Sequence, residues 1–243
     1  MNITKIINEK INDPHGAKPV TIAFFGDSVT KGCFEVVPNP EKESGFVTKH
    51  DSEYVYHAAL RQMLQTVFPE VPFNIINAGI SGDNATDAIK RFERDVAAYK
   101  PDLVVVCFGL NDSRQGVDGL DKYKDSLGII FEKIKEIGCE ALLMTPNMMN
   151  TKISPFIFDE KVKELAIEIM EIQNGGMLDA YVNGAVETAK IHNVPVCNCY
   201  EKWKKLEKNG ANITELLSNK INHPTREMHK LFAMYLFDAI MFK

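Results

Sequence analysis

Long apolar runs are missing from this 243-residue sequence, and none of its hydrophobic stretches has the length that a bilayer span requires. The first residues, MNITKIINEKINDPHG, also lack the apolar core and the small-residue cleavage site of a secretory signal peptide. These absences argue against a membrane-spanning or exported protein. We therefore expect a soluble protein with no membrane partner and a cytoplasmic location.

A CxxC motif is missing as well, and the number of cysteines, five, is odd. Cys197 and Cys199 are too close together for the ordinary spacing of zinc ligands. Cys107 and Cys139 lie in or beside apolar runs, where a free thiol packs as a small hydrophobe, and Cys33 is the fifth. We therefore expect a packing role for all five, and a reducing compartment fits this usage.

The sequence also has no surplus of positive charge, since its formal net charge is -5. A nucleic-acid-binding face needs clustered Lys and Arg, so no nucleic-acid partner is expected. The short lysine group of Lys202, Lys204 and Lys205 alternates with Glu and apolar residues, which indicates a solvated helix face. Apolar residues make up 45% of the chain and charged residues 25%. This mixture and length suit a single globular domain over residues 1–243.

What is present is an alternation of short apolar runs with longer segments of helical periodicity. The apolar runs predict strands at Val20–Phe25, Val71–Ile76, Leu103–Phe108, Ala141–Met144 and Val194–Val196. The periodic segments predict helices at Glu53–Val67, Asn84–Tyr99, Leu120–Ile137, Asp159–Ile172, Met177–Ile191 and Arg226–Phe242. Repeated β-α units predict an α/β fold with a parallel sheet and helices on both of its faces.

One long segment, from Cys33 to Ser52, does not fit the alternation. It holds Pro38, Pro40 and Gly45 and follows the first strand closely. We expect it to be an irregular insertion that borders a site.

Small residues joined to polar ones follow the predicted strands, at the edge where parallel α/β sheets bind ligands. These segments are GDSVT at 26–30, NAGISGDN at 77–84, GLND at 109–112 and, near the C-terminus, NHP at 222–224. They suit acyl transfer, because a serine hydroxyl becomes a nucleophile when a histidine takes its proton. Ser28 and His223 are the candidate pair. The developing oxyanion needs donors in place, and the candidates are the amides of Ser28 and Gly79 and the side chain of Asn111.

The four segments, taken in order, resemble the GDSL/SGNH hydrolase family, whose name records its Ser, Gly, Asn and His. Any one of them alone would be a weak signal, but together they follow the family order over nearly the whole chain. The resemblance implies a flavodoxin-like three-layer α/β/α sandwich with a central parallel sheet of about five strands. It also implies a serine esterase of small-molecule substrates, either small acyl esters or carbohydrate acetyl esters. We expect such an enzyme to need neither a metal nor an organic cofactor.

The sequence departs from the family pattern at the residue that should orient the histidine. The family usually carries an Asp three residues before the His, where this chain has Lys220. Asn219, four residues before, is a candidate for orienting His223, although it is not a carboxylate. A backbone carbonyl is another candidate, and Asp27 and Asp112 are unsupported substitutes.

Simpler structural roles compete with these assignments. Ser28 follows a strand as a helix N-cap would, Gly79 suits a turn of positive φ, and Asn111 suits a turn amide. Met148 and Met149, after the fourth strand, fit a pocket lining and core packing equally well. His223 has five rivals, which are His15, His50, His57, His192 and His229. Their positions in loops, on helices or at the wrong end of the sheet favour His223.

Two other functions remain open on the sequence. Loss of the usual acid favours a catalytically impaired binding module that keeps the pocket. A receiver-like or metal-dependent phosphotransfer domain would use Asp27 and Asp112, but the acidic pair and the lysine that it needs are not evident.

Overall fold

The computed structural model describes residues 2–39, 41–42 and 46–242. Its strands are β1 (Val20–Gly26), β2 (Cys33–Pro38), β3 (Phe46–His50), β4 (Phe73–Gly79), β5 (Leu103–Cys107), β6 (Glu140–Met144) and β7 (Val196–Cys197). Its α-helices are α1 (Asn2–Asn12), α2 (Ser28–Lys31), α3 (Tyr56–Val67), α4 (Ala85–Ala88), α5 (Phe92–Asp95), α6 (Leu120–Glu136), α7 (Glu160–Asn174), α8 (Met177–Ile191), α9 (Cys199–Lys208) and α10 (Arg226–Met241).

Five of the strands form one parallel sheet in the order β4-β1-β5-β6-β7. The direction in which strands are added reverses at β1, which is the doubly wound order of flavodoxin-like folds. This confirms the predicted α/β class and the three-layer sandwich around a five-stranded parallel sheet. The extent of a single domain over residues 1–243 stays a prediction.

Consecutive residues of the central strands feed two apolar cores, one on each face of the sheet. Phe24 and Val105 pack on the face covered by α1, α3, α9 and α10. Phe25 and Val106 pack on the face covered by α4, α5, α6 and α8. With both faces covered, β1 and β5 are buried almost throughout, as the uninterrupted apolar runs of the sequence predict.

The segment predicted as one helix from Asn84 to Tyr99 is broken, so that prediction is wrong. Helices α4 and α5 are joined by a 3₁₀ turn, Ile89–Arg91, and a second 3₁₀ turn, Ala97–Tyr99, follows. The tighter turn places the Arg91 side chain inside the protein, with 8% of the residue exposed. Apolar spacing does not register an arginine that faces inward, which is why the sequence reads as one helix.

Other element bounds also differ from the predictions. β4 starts at Phe73 and continues to Gly79, because the last residues of the strand extend the ladder with β1 up to Gly26. β7 comprises only Val196–Cys197, later than predicted. Helix α1 is absent from the predicted helices, and α9 carries the lysine group for which a solvated helix face is expected.

Residues 33–50 contain an antiparallel hairpin of β2 and β3, where an irregular insertion was predicted. Cys33 pairs with His50 and Val36 pairs with Thr48. β2 therefore has one residue more than β3 between these pairs, which defines a β-bulge. Pro40 and Gly45 lie outside the described residues. As expected, the hairpin follows Ser28 closely and borders the site built around it.

All five cysteines are free thiols in the structure, and four of them are buried, with Cys139 half-buried. This agrees with a packing role for the thiols, while a cytoplasmic location stays a prediction. Within the described ranges, no helix combines the length and the apolar character that crossing a bilayer requires.

Candidate active site

Ser28 lies at the carboxyl end of β1, as the first residue of the short helix α2. Asp27 caps this helix, since its Oδ1 accepts a hydrogen bond from the Val29 amide at 2.9 Å. The amide of a first helical residue has no acceptor within its own helix. The fold therefore places at the edge of the sheet both the hydroxyl of Ser28 and its amide, which has no acceptor among the described residues.

The imidazole of His223 contacts the Ser28 hydroxyl. Nε2 of His223 lies 3.0 Å from Ser28 Oγ, and Nδ1 lies 3.1 Å from the backbone carbonyl oxygen of Phe34. A carbonyl oxygen only accepts, so Nδ1 carries the proton and Nε2 accepts from the Ser28 hydroxyl. Burial lowers the pKa of His223 to about 4, which keeps the ring neutral at pH 7. The two residues predicted as a pair are thus in contact, with the histidine in the state that a base requires.

The residues next to His223 in sequence do not supply a carboxylate to its ring. The Lys220 ammonium is turned toward Glu215, 2.8 Å from Oε2. Asn219, the candidate for orienting His223, acts on the backbone, since its Oδ1 accepts from the amides of residues 221–223. We correct that prediction, because Asn219 shapes the loop while the Phe34 carbonyl bonds to the ring nitrogen.

Asp27 and Asp112 are committed to backbone amides and not to the imidazole. Asp112 accepts from the amides of Ala85 and Gly109, both at 2.9 Å. Burial raises the pKa of Asp27 to about 7 and that of Asp112 to about 6. These contacts fix the turns that follow β1 and β5. No group of three or more His, Cys, Asp or Glu side chains in the described part of the chain is arranged to hold a metal ion.

The rival histidines have other surroundings. His15 is exposed in the turn after α1. The remaining ones contact the Cys33 thiol (His50), the Thr30 carbonyl (His57), Glu132 (His192) and the Tyr56 amide (His229). Ser28 is therefore matched with His223 by geometry as well as by sequence.

Gly79 does not have the surroundings of an oxyanion donor. Its amide donates to Asn77 Oδ1 at 3.0 Å, and a Cβ at this position would collide with the backbone of Thr30 and Lys31. Gly79 is therefore needed for the close approach of β4 to α2. We correct the prediction that its amide supplies an oxyanion donor.

Gly82, three residues later, has an amide with no acceptor among the described residues. It adopts a left-handed φ of 79°, and a Cβ there would meet open space. Asn111 lies beside this turn, because its Nδ2 donates to the carbonyl of Asp83 at 2.8 Å and keeps a second N–H uncommitted. The Ile80 amide bonds to the Gly26 carbonyl at 3.1 Å, which ties the turn to the strand that carries Ser28. The sequence NAGISGDN contains both glycines, and only backbone conformation separates their roles.

Arg91 braces this end of the sheet from inside. Its guanidinium donates to the carbonyls of Ala78 at 2.7 Å and Gly26 at 3.0 Å, and it pairs with the Asp83 carboxylate at 2.6 Å. It also lies over the Phe25 ring, 4.6 Å from the centroid. One buried cation therefore joins the segment before Ser28 to the turn that holds Gly82. Sequence reasoning missed this residue, since it lies outside the four family blocks.

Met148 and Met149 are fully buried among the apolar side chains of the core. Of the two interpretations left open by the sequence, the structure supports core packing.

Comparison with known proteins identifies the family. The sequence model of the GDSL-like Lipase/Acylhydrolase family matches residues 24–231, so this chain belongs to that family. An acetylxylan esterase of Geobacillus stearothermophilus is 34% identical over 134 residues, which cover 51% of this chain and 58% of that protein. An uncharacterized lipoprotein, YqeF, of Bacillus subtilis (strain 168) is 32% identical over 77 residues, covering 30% of this chain and 32% of that protein. The matches thus span less than two thirds of either relative's length.

Solved structures share the fold over most of the chain. The crystal structure of Axe2, an acetylxylan esterase from Geobacillus stearothermophilus, has a TM-score of 0.67 at 24% identity and covers 92% of this chain and 95% of its own. The acetyl xylan esterase AlAXEase has a TM-score of 0.67 at 21% identity and covers 91% of this chain and 100% of its own. At these identities the likeness establishes the fold.

Arg91→Met is expected to lower the free energy of unfolding by about 3–5 kcal/mol, because the buried Asp83 carboxylate and two carbonyls would lose their partner. Urea denaturation followed by circular dichroism measures the effect. The matched control is Lys90→Met, which removes the neighbouring exposed cation and its surface pair with Asp87. The control is expected to show no measurable change, and an equally stable Arg91→Met variant would contradict the bracing role.

Proposed function

We propose that this chain is a serine esterase, a carboxylic ester hydrolase that forms an acyl-enzyme on Ser28. The observation that carries the proposal is the 3.0 Å contact between Ser28 Oγ and Nε2 of the neutral His223. Membership of the GDSL-like Lipase/Acylhydrolase family supports the same chemistry. The partner is thus a small-molecule ester.

In the first half-reaction, Ser28 Oγ attacks the ester carbonyl carbon while His223 Nε2 takes the hydroxyl proton. The carbonyl oxygen becomes an oxyanion, for which the donors are the amides of Ser28 and Gly82 and the side chain of Asn111. Collapse of this intermediate breaks the bond to the alcohol oxygen, which leaves with the proton from Nε2. Water then attacks the acyl group by the same route, releasing the carboxylic acid and restoring Ser28.

The Phe34 carbonyl takes the place of the acid in this scheme. Its oxygen accepts a hydrogen bond from Nδ1, 3.1 Å away, so the lone pair of Nε2 faces the serine. When Nε2 is protonated, the same bond stabilises the imidazolium, although a neutral carbonyl does so less than a carboxylate. The proposed centre is therefore a Ser–His dyad supported by the backbone.

For the alcohol portion of the substrate we favour a carbohydrate that carries acetyl esters. A relative that matches half of this chain is named an acetylxylan esterase. A groove of about 370 Å³ is also lined by chain segments that adjoin Phe34 and His223 in sequence. Its walls include residues 35–37, which follow Phe34, and residues 218–220, which precede His223.

The lining of this groove suits a sugar. Phe156 and Phe158 lie along it with 65% and 85% of each residue exposed, together with apolar side chains of β2. Glu35, Ser218 and Lys220 add charged and polar groups to the same walls. A pyranose has apolar C–H faces and a hydroxyl edge, so it uses both kinds of surface, whereas an acyl chain uses only the first.

A catalytically impaired binding module is the second candidate, and Lys220 at the usual position of the acid favours it. The two candidates are separated by assaying the purified protein and its Ser28→Ala variant on p-nitrophenyl acetate and on acetylated xylo-oligosaccharides. We expect hydrolysis by the wild type, rates near background for the variant, and fluorophosphonate labelling of Ser28. Equal background rates for both proteins, or labelling of another residue, would refute the esterase.

The acidic limb of the kcat/KM profile is expected near pH 4 to 5, below the value of about 6.5 for an ordinary histidine. The base must be unprotonated, and burial lowers the pKa of His223 to about 4. As the pH falls through that pKa, Nε2 takes a proton and activity is lost. The measurement follows p-nitrophenyl acetate hydrolysis at the isosbestic wavelength of p-nitrophenol, with the Ser28→Ala rate subtracted. A half-maximal point at or above pH 6.5 would contradict this protonation state.

Phe158→Ala is expected to raise KM for acetylated xylo-oligosaccharides roughly five- to tenfold, because the sugar loses an aromatic face. The same variant should leave kcat/KM for p-nitrophenyl acetate unchanged, since that substrate has no sugar. Tyr99→Ala is the matched control, because Tyr99 is 53% exposed but does not line the groove. Equal effects on both substrates, or none on either, would contradict the assignment of the groove.

A further inference from the structure

The bulge of β2 lies beside the histidine of the proposed dyad. Phe34 and Glu35 fall between the two register-defining pairs, where β2 has its extra residue. A bulge interrupts the strand ladder and redirects local backbone groups. The Phe34 carbonyl is one of them, and it accepts a hydrogen bond from His223 Nδ1.

Arg226 contacts both residues of this bulge and also Asp51, which follows β3. Its guanidinium donates to both Glu35 carboxylate oxygens, at 2.5 and 3.3 Å, and through Nε to Asp51 Oδ2 at 3.1 Å. The guanidinium carbon lies 4.3 Å from the centroid of the Phe34 ring. Arg226 begins α10, three residues after His223. The side chain of Arg226, which follows His223 closely in sequence, therefore contacts both residues of the bulge.

We propose that Arg226 and Glu35 are positioning residues that take over the orienting role of the missing acid, by fixing the β2 bulge so that the Phe34 carbonyl stays on His223 Nδ1. The inference rests on the proposed esterase function for its kinetic readout. The hydrogen bond itself is measurable without turnover.

A backbone acceptor needs such support because it moves with its strand. A carboxylate side chain is fixed by its own rotamer and hydrogen bonds, but the Phe34 carbonyl shifts whenever the hairpin shifts. A two-stranded ribbon is marginally stable by itself. A bidentate Arg–carboxylate pair adds geometric definition even where partial exposure keeps its energy modest. The Arg226–Glu35 pair therefore acts by fixing the position of the Phe34 carbonyl.

The charges that face His223 set the expected pH response. Burial and His50 of β3 lower the pKa of His223, whereas the Phe34 carbonyl and Glu35 of β2 raise it. His229 of α10 is a further neighbouring titratable group, and burial keeps it neutral by lowering its pKa to about 3. Removing the Glu35 charge and loosening the Phe34 bond both lower the pKa of His223. Glu35→Gln is therefore expected to move the acidic limb of activity to lower pH.

The kinetic test compares Arg226→Met, Arg226→Lys and Glu35→Gln with the wild type on p-nitrophenyl acetate. We expect Arg226→Met to lower kcat about 100-fold, the cost of a misplaced catalytic group, with KM changed much less. Arg226→Lys should recover part of the loss, because it keeps a cation near Phe34 and Glu35. Glu35→Gln should lower kcat less and shift the acidic limb downward. Lys124→Met, which breaks an ion pair between α6 and α8, is the control and should match the wild type.

A spectroscopic test reads the hydrogen bond directly. Protein labelled with ¹⁵N-histidine should show a protonated, hydrogen-bonded Nδ1 for His223, assigned with a His223→Gln variant. We expect this signal to broaden or disappear in Arg226→Met and to persist in Lys124→Met.

Two results would overturn the proposal. One is a wild-type kcat and an unchanged Nδ1 signal in both Arg226→Met and Glu35→Gln. The other is a loss of kcat that follows the folded fraction, with an unchanged pH profile and signal, since that describes a merely structural role. If the wild type neither hydrolyses esters nor labels at Ser28, the esterase proposal fails, and the Nδ1 signal alone decides the positioning.

Discussion

The hydrogen bond between His223 Nδ1 and the Phe34 carbonyl is the interaction on which the proposed chemistry depends. It determines which nitrogen carries the proton, and thereby leaves Nε2 with a lone pair directed at Ser28 Oγ, 3.0 Å away. Without it, the buried ring is free to adopt the other tautomer, and Nε2 would then be a donor. Burial keeps the ring neutral, but this one hydrogen bond determines that the unprotonated nitrogen is the one facing Ser28.

The remaining groups of the site are brought together by the register of the sheet. Gly26 of β1 is level with Gly79 of β4 and with Cys107 of β5, so three strands end at one height. The turns that follow them carry Ser28, Gly82 and Asn111. Arg91 then links the ends of β1 and β4 and the turn after β4 through two carbonyls and the Asp83 carboxylate, and Asn111 bonds to the Asp83 carbonyl. The geometry of the site is thus a property of the parallel ladder, fixed by a buried cation.

The sequence predicts the features that depend on the pattern of side chains. Apolar runs predict the parallel sheet, and the family blocks predict the contact between Ser28 and His223. The missed features are properties of the backbone. The choice between Gly79 and Gly82 depends on which amide is uncommitted, and the Phe34 carbonyl is a group that every residue carries. The broken helix around Arg91 was missed because an inward arginine leaves no trace in apolar periodicity.

The local charge offers a physical reason for a neutral acceptor at His223. The Asp83 and Asp112 carboxyl groups already lie near enough to Asp27 to raise its pKa, and Arg91 is paired to Asp83. Burial and the neighbouring carboxylates raise the pKa of Asp27 to about 7 and that of Asp112 to about 6. An oxyanion formed at Ser28 adds negative charge to the same region. A further carboxylate at the imidazole would stabilise the imidazolium, but it would also oppose that oxyanion and require its own desolvation. A carbonyl stabilises the imidazolium less and adds no charge. It therefore orients His223 without adding negative charge near the oxyanion.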